Sequence, residues 1–265
     1  MLNISKILAS KSQKKLTMIT AYDFPSAVIA QDAGIDMILV GDSISNTVFG
    51  NKDTLPVELE DMIFHSKIVK KGAEETFVIG DLPFLSYQCS EEKAIESCGK
   101  FLKYGRVDAV KLEGGKNISN TVKKIVEFGI PVMGHIGFTP QSHKQIGIKS
   151  KGKNEFERKK LLEDALALQE SGVFSIVLEM VEEETTKEIT QSLDIPTIGI
   201  GSGKYCDGQV LVWHDLLGLS NSFTPKFAKK YLNGYEIFKN AIVEYIKEVE
   251  TETFPSSKHV FKRKE

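Results

Sequence analysis

Residues 108–137 read DAVKLEGGKNISNTVKKIVEFGIPVMGHIG, and the parsing of this run decides the fold. An apolar run closes on two glycines, a helical pattern fills 117–128, Gly129 and Pro131 punctuate, and a second apolar run follows. That is a strand, a crossover helix and a strand, the unit from which parallel sheets are built. Alternate side chains of a strand share a face, so Lys111 and Glu113 point the same way as Ala109, at the edge of the strand just before the turn.

The pattern repeats outward in both directions. Strand candidates are LTMITAY from 16, MILVGDS from 37, TFVIGDL from 76, DAVKLEG from 108, PVMGHIG from 131, SIVLEMV from 175, PTIGIGS from 196 and VLVWHD from 210. Helical patterns cover 25–33, 58–71, 91–104, 117–128, 155–171 and 182–192, with a last pair expected after Pro225. Eight strands alternating with helices in 265 residues, with no GxGxxG after the first strand, predict a (β/α)8 TIM barrel over an open doubly wound sheet. One barrel domain is expected over 1–265, with a short N-terminal helix and a basic tail from about residue 255.

A formal charge of -2 gives no field for nucleic acid or an anionic membrane, so a small-molecule ligand is expected. Three cysteines without CxxC spacing fit a reducing cytoplasm. No apolar run approaches the length of a membrane span.

Barrel active sites lie at the C-terminal mouth of the strands. Here the second strand ends in Asp42 and Ser43, the third in Asp81, the fourth in Lys111 and Glu113, the fifth in His135 and the sixth in Glu179. Singly each has a bland reading: a helix N-cap, a turn starter, a satisfied ion pair, a structural acceptor. The same coincidence on five neighbouring strands favours a site. Three carboxylates and a hydroxyl suit magnesium, which takes oxygen ligands and retains water. Lys111 would face the anionic end of a substrate, with Schiff-base formation as the alternative. Glu179, between Leu178 and Met180, is the candidate general base. The Gly-rich GIGSGKYCDG at 199–208 is either a tight turn or a place for substrate or pterin to approach. The basic stretch 139–153, TPQSHKQIGIKSKGK, is either a lid or a plain surface loop.

Taken together, TAYDFPSA, ILVGDS, TLPVELEDMIFHSKIV, DLPFLSYQ, AVKLEGG, PVMGHIGFTPQS, VLEMV and IPTIGIGSGKYCDGQVLVWHDLLG strongly resemble the ketopantoate hydroxymethyltransferase family, from about residue 4 to residue 261. The resemblance implies a barrel of the phosphoenolpyruvate/pyruvate type that moves a hydroxymethyl group from 5,10-methylenetetrahydrofolate to 3-methyl-2-oxobutanoate, giving 2-dehydropantoate and tetrahydrofolate. It also implies Mg2+ at Asp42, Asp81 and Glu113, keto-acid contacts at Asp42, Ser43, Asp81 and Lys111, and Glu179 as proton acceptor. His135 takes a supporting role, and the family's homo-oligomers are often decamers. A magnesium-dependent C-C lyase acting on a 2-oxo acid is the alternative, since both reactions need the same acids and an enolate. Three positions depart from the family: Ser45 where glycine is usual after GDSL, Lys153 where arginine is usual, and GIGSG where GIGAG is commoner. None touches the assigned acids.

Overall fold

The computed structural model describes residues 1–220 and 225–263. Contacts divide them into two compact units, Met1–Val212 and Trp213–Glu265.

The first unit is a closed barrel of eight parallel strands in sequence order: β1 (Leu16–Thr20), β2 (Met37–Val40), β3 (Phe77–Asp81), β4 (Ala109–Glu113), β5 (Val132–Gly137), β6 (Ser175–Glu179), β7 (Thr197–Ile200) and β8 (Gly208–Leu211). β8 pairs with β1 and closes the ring. The strands expected from sequence are all present, β8 beginning at Gly208, two residues early. The short helix Ile4–Ala9 precedes the barrel, and Phe24–Asp32, Leu59–Gly72, Glu91–Lys100, Ser119–Glu127, Glu155–Glu170 and Glu183–Ser192 serve as crossovers. Their starts follow local chemistry. The side chains of Asp23, Ser90 and Asn154 each accept the backbone N–H three residues on, satisfying a donor that the helix leaves free.

One crossover differs from expectation. The helix over 91–104 is α-helical to Lys100 and then widens into a π turn, Phe101–Gly105. Phe101 is fully buried there against Gly80, where a Cβ would stand 2.4 Å from its ring. A bare Gly80 therefore lets the crossover seat directly on β3, one residue before Asp81. Between β7 and β8 residues 201–207 form no helix, so the connection is a seven-residue return over the sheet.

In the second unit, Trp213–Leu216 is a short helix, and among the described residues one helix, Gly234–Glu250, follows Pro225 where a pair was expected. The basic tail is described as far as Arg263; its Lys264 and Glu265 lie outside the described residues.

Candidate active site

Pairing register explains how distant residues meet. Asp81 pairs with Lys111, Glu113 with His135, and Gly137 with Glu179, each pair two residues further along the shared strand than the last. Paired residues of parallel strands face the same side, so all five side chains share one face, and the tilt of barrel strands brings these steps to one level. Asp42 and Ser43 lie just beyond β2, in the turn that opens the helix Ile44–Thr47.

The contacts form a chain across four strands. Lys111 Nζ stands 2.9 Å from Asp81 Oδ1 and 3.1 Å from His135 Nδ1, and His135 Nε2 stands 3.2 Å from Glu179 Oε2. The Asp42 N–H donates to Asp81 Oδ2 at 3.1 Å. Ser43 occupies the N-cap position without capping; its Oγ instead lies 2.8 Å from the Tyr22 hydroxyl. All but Ser43 and Glu179 are under 6% exposed.

Burial raises the Asp42 pKa well above the ordinary carboxyl value, and the Asp81 and Glu113 charges add to it. Asp81 is also raised, by burial and by Glu113, against the pull of Lys111. Burial would lower Lys111, but Asp81, Glu113 and Asp42 outweigh it and hold the ammonium above its usual pKa. A protonated lysine is a charge partner and not a Schiff-base nucleophile.

His135 is pulled two ways. Burial and Lys111 lower its pKa, whereas the Glu113 and Glu179 carboxylates work to raise it. Lys111 Nζ at 3.1 Å from Nδ1 cannot coexist with a proton on that nitrogen, and Glu113 Oε1 at 3.6 Å from Nδ1 is beyond hydrogen-bond range. The geometry favours a neutral ring: Nδ1 accepts from Lys111 and the Nε2 proton faces Glu179.

Sequence patterns missed two residues that organise this site. Gln141, in the turn Pro140–Ser142 after β5, donates from Nε2 to Asp42 Oδ2 (3.1 Å) and to Leu82 O (2.8 Å), and from its backbone N–H to Glu113 Oε2 (3.0 Å). Its Oε1 lies 3.1 Å from the Tyr87 hydroxyl, which also accepts from the Glu113 N–H at 3.2 Å. Tyr87 is kept a neutral phenol by burial and by Glu113 and Asp81. Both sit in quoted motifs, yet an amide or phenol in a loop has no period to reveal its partner.

Three buried side-chain atoms here lack an aligned hydrogen-bond partner: Asp81 Oδ1, Glu113 Oε1 and His135 Nε2. Asp81 Oδ1 keeps the Lys111 ammonium and His135 Nε2 the Glu179 carboxylate close by, so Glu113 Oε1 is the buried atom left open towards a ligand. Among the described residues, however, no three His, Cys, Asp or Glu side chains are grouped closely enough to hold a metal ion by themselves.

The profile of the ketopantoate hydroxymethyltransferase family matches residues 1–257. The chain belongs to this family. It is 54% identical over 261 residues to the 3-methyl-2-oxobutanoate hydroxymethyltransferase of Thermotoga maritima, covering 98% of this chain and 96% of that one. The enzyme of the same name from Clostridium beijerinckii is 48% identical over 255 residues, covering 96% and 93%. Family membership makes the chain a hydroxymethyltransferase with a role in pantothenate biosynthesis. Among solved structures, 2,3-dimethylmalate lyase, a member of the PEP mutase/isocitrate lyase superfamily, shares the fold at TM-score 0.61 and 15% identity, covering 97% and 88%. Phosphonopyruvate hydrolase in complex with oxalate and Mg++ does so at TM-score 0.64 and 9% identity, covering 97% and 93%.

Proposed function

We propose that this chain transfers a hydroxymethyl group from 5,10-methylenetetrahydrofolate to 3-methyl-2-oxobutanoate, giving 2-dehydropantoate and tetrahydrofolate through the enolate of the keto acid. The observation that carries the reading is the cluster of four acidic side chains, Asp42, Asp81, Glu113 and Glu179, in which Lys111 is the one fixed cation and the buried Glu113 Oε1 has no hydrogen-bond partner. Such a cluster is short of positive charge. A magnesium ion fits that deficit, because it keeps several waters and substrate oxygens and needs only one or two protein carboxylates.

Asp42, Asp81 and Glu113 would hold the ion, directly or through its water. When bound, magnesium supplies Lewis-acid stabilisation of charge developing on the keto oxygen. Lys111 meets the substrate's anionic end, and Asp42, Ser43 and Asp81 complete its contacts. Glu179 takes the C3 proton, with His135 Nε2–H holding the carboxylate in place. Gln141 fixes Asp42 and Glu113 relative to each other. Water cleaves the two C–N bonds of the folate's methylene bridge, leaving tetrahydrofolate and a formaldehyde-level carbon; the C3 carbanion adds to that carbon, and its oxygen takes a proton to complete the hydroxymethyl group.

A cytoplasmic location and a homo-oligomer belong to the same proposal. No helix among the described residues is long and apolar enough to cross a membrane, and the three cysteines are free. The helix Gly234–Glu250 exposes Ile237, Phe238, Ile242, Val243, Ile246 and Val249, an apolar face that subunit association would cover. The test of the reaction is product analysis with magnesium and keto acid, with and without methylenetetrahydrofolate. Formation of 2-dehydropantoate only with the folate supports the transferase. Folate-independent cleavage of a 2-oxo acid would favour the lyase.

A further inference from the structure

β3 and β4 separate where two of the proposed metal-site acids, Asp81 and Glu113, stand. Leu82 N donates to Lys111 O at 3.0 Å, and the next rung of a parallel ladder would join Glu113 N to Leu82 O. The chain instead leaves β3 for the turn over 83–86, where Ser86 N donates to Pro83 O at 3.2 Å. Side chains fill the opening. Leu82 O accepts from Gln141 Nε2 at 2.8 Å, and the Glu113 N–H donates to the Tyr87 hydroxyl at 3.2 Å. Gly114 N serves the other edge of the strand, donating to His135 O of β5 at 3.0 Å, so both backbone groups of Glu113 face the opening.

The Tyr87 hydroxyl lies 2.9 Å from Glu113 O and 3.1 Å from Gln141 Oε1, and it has one proton to give. Gln88 Nε2 donates to Gln141 Oε1 at 3.1 Å, which leaves the phenol proton for Glu113 O, the nearer acceptor. One buried hydroxyl thus grips the N–H and the C=O of the same residue and replaces the rungs that β3 no longer supplies. Little else stiffens the backbone there, because Gly114 has φ of +132° and a second glycine follows. On the side chain, Gln141 N–H holds Glu113 Oε2 at 3.0 Å and leaves Oε1 open.

We propose that Tyr87 is a positioning residue for the metal: by holding the main chain of Glu113 where β3 has left it, the phenol aims the open carboxylate oxygen. The inference rests on Glu113 being a magnesium-site acid. Tyr87→Phe keeps the ring and removes only the hydroxyl. Loss of a hydrogen-bond partner behind a metal-binding group weakens metal binding by about 10- to 100-fold, so the Kd for Mn2+, which favours the same oxygen ligands as magnesium, should rise by about tenfold or more. The titration uses Mn2+ alone and follows the free ion by electron paramagnetic resonance, so turnover does not enter.

The discriminating measurement repeats Tyr87→Phe in a Glu113→Gln background, where it should move the Kd by less than about twofold because the carboxylate it acts through is gone. An unchanged Kd in Tyr87→Phe, with only the melting temperature lowered, overturns the inference, as does a loss of the same size in the Gln background. A Glu113→Gln protein that binds Mn2+ as the wild type does removes the assignment of Glu113 and the inference with it, as does a wild-type protein that takes up no Mn2+. A weakened Glu113→Gln beside an unaffected Tyr87→Phe removes only the role of Tyr87. Should Tyr87→Phe fail to fold, Gln88→Ala carries the test from an exposed position. Gln141 Oε1 then competes with Glu113 O for the phenol proton, so the Kd should rise, and an unchanged Kd overturns the inference.

Discussion

Asp207→Asn separates the stability of this barrel from its chemistry. Asp207 immediately precedes β8, at the N-terminal end of the strands and so away from the mouth. Its carboxylate accepts from Lys11 Nζ at 2.9 Å, Thr197 N at 2.9 Å, Thr197 Oγ1 at 3.2 Å and Ser12 N at 3.1 Å. It thereby joins the N-terminal segment, β7 and β8 where no helix covers the β7–β8 return. An asparagine keeps one acceptor oxygen and turns an NH2 towards donors. Losing the ion pair and its charge-assisted bonds costs about 2–4 kcal/mol, below the full value for a broken buried pair because Lys11 keeps Thr190 O as a partner. For a chain of this size that corresponds to a fall in Tm of roughly 5–15 °C.

The same carboxylate sets a pH dependence. Burial alone would raise its pKa, but Lys11, Thr197 and Ser12 outweigh burial and hold it below the ordinary value. A folded pKa below the unfolded one means that the contribution is complete above about pH 4, the unfolded value, and is lost as pH falls through the folded one. Urea unfolding of both proteins from neutral to acidic pH should show a gap that is widest near pH 7 and narrows in acid. Turnover per folded molecule at neutral pH should stay within about twofold, since the residue is remote from the mouth. A gap under about 0.5 kcal/mol at pH 7, or one that widens in acid, would refute the assignment.

Two further variants probe the site itself. Gln141→Ala removes the donor to Asp42 Oδ2 and Leu82 O; it should cost about 2–3 kcal/mol of stability in urea and weaken keto-acid binding in titration calorimetry about tenfold. Lys111→Met strips the fixed cation from buried Asp81 and should destabilise the metal-free protein by about 3–5 kcal/mol, with saturating magnesium restoring part of the loss in thermal melts.

Much of the barrel was legible because its crossovers alternate with apolar strands that end on glycine, proline or aspartate, and strand period places Lys111 and Glu113 on one face. The polar strand ends could be read as a site for the same reason, and the structure brings Asp81, Lys111, Glu113, His135 and Glu179 together by register. What stayed hidden depends on contacts between residues far apart in the chain. Gln141 reaches Asp42 across 99 positions, and Ser202 reaches Leu178 across 24. Neither bond leaves a local pattern. The stretch 139–153 read as a lid or a plain loop turns out to contribute Gln141 at one end and to be stitched through Lys151 to Met180 near the other. The return after β7 likewise combines a tight turn with the bonds of the Ser202 hydroxyl to Leu178 O and Val181 N and with the Asp207 anchor.

The most direct measurement follows deuterium at C3 of 3-methyl-2-oxobutanoate by proton NMR, without folate, for the wild-type protein with magnesium, the same protein with EDTA, and Glu179→Gln with magnesium. Metal-dependent exchange in the wild type that falls by about 10²- to 10⁴-fold in Glu179→Gln, with keto-acid binding retained, is the expected result for a positioned general base beside a metal-bound 2-oxo acid. Exchange that survives EDTA or the Gln substitution at full rate would contradict it.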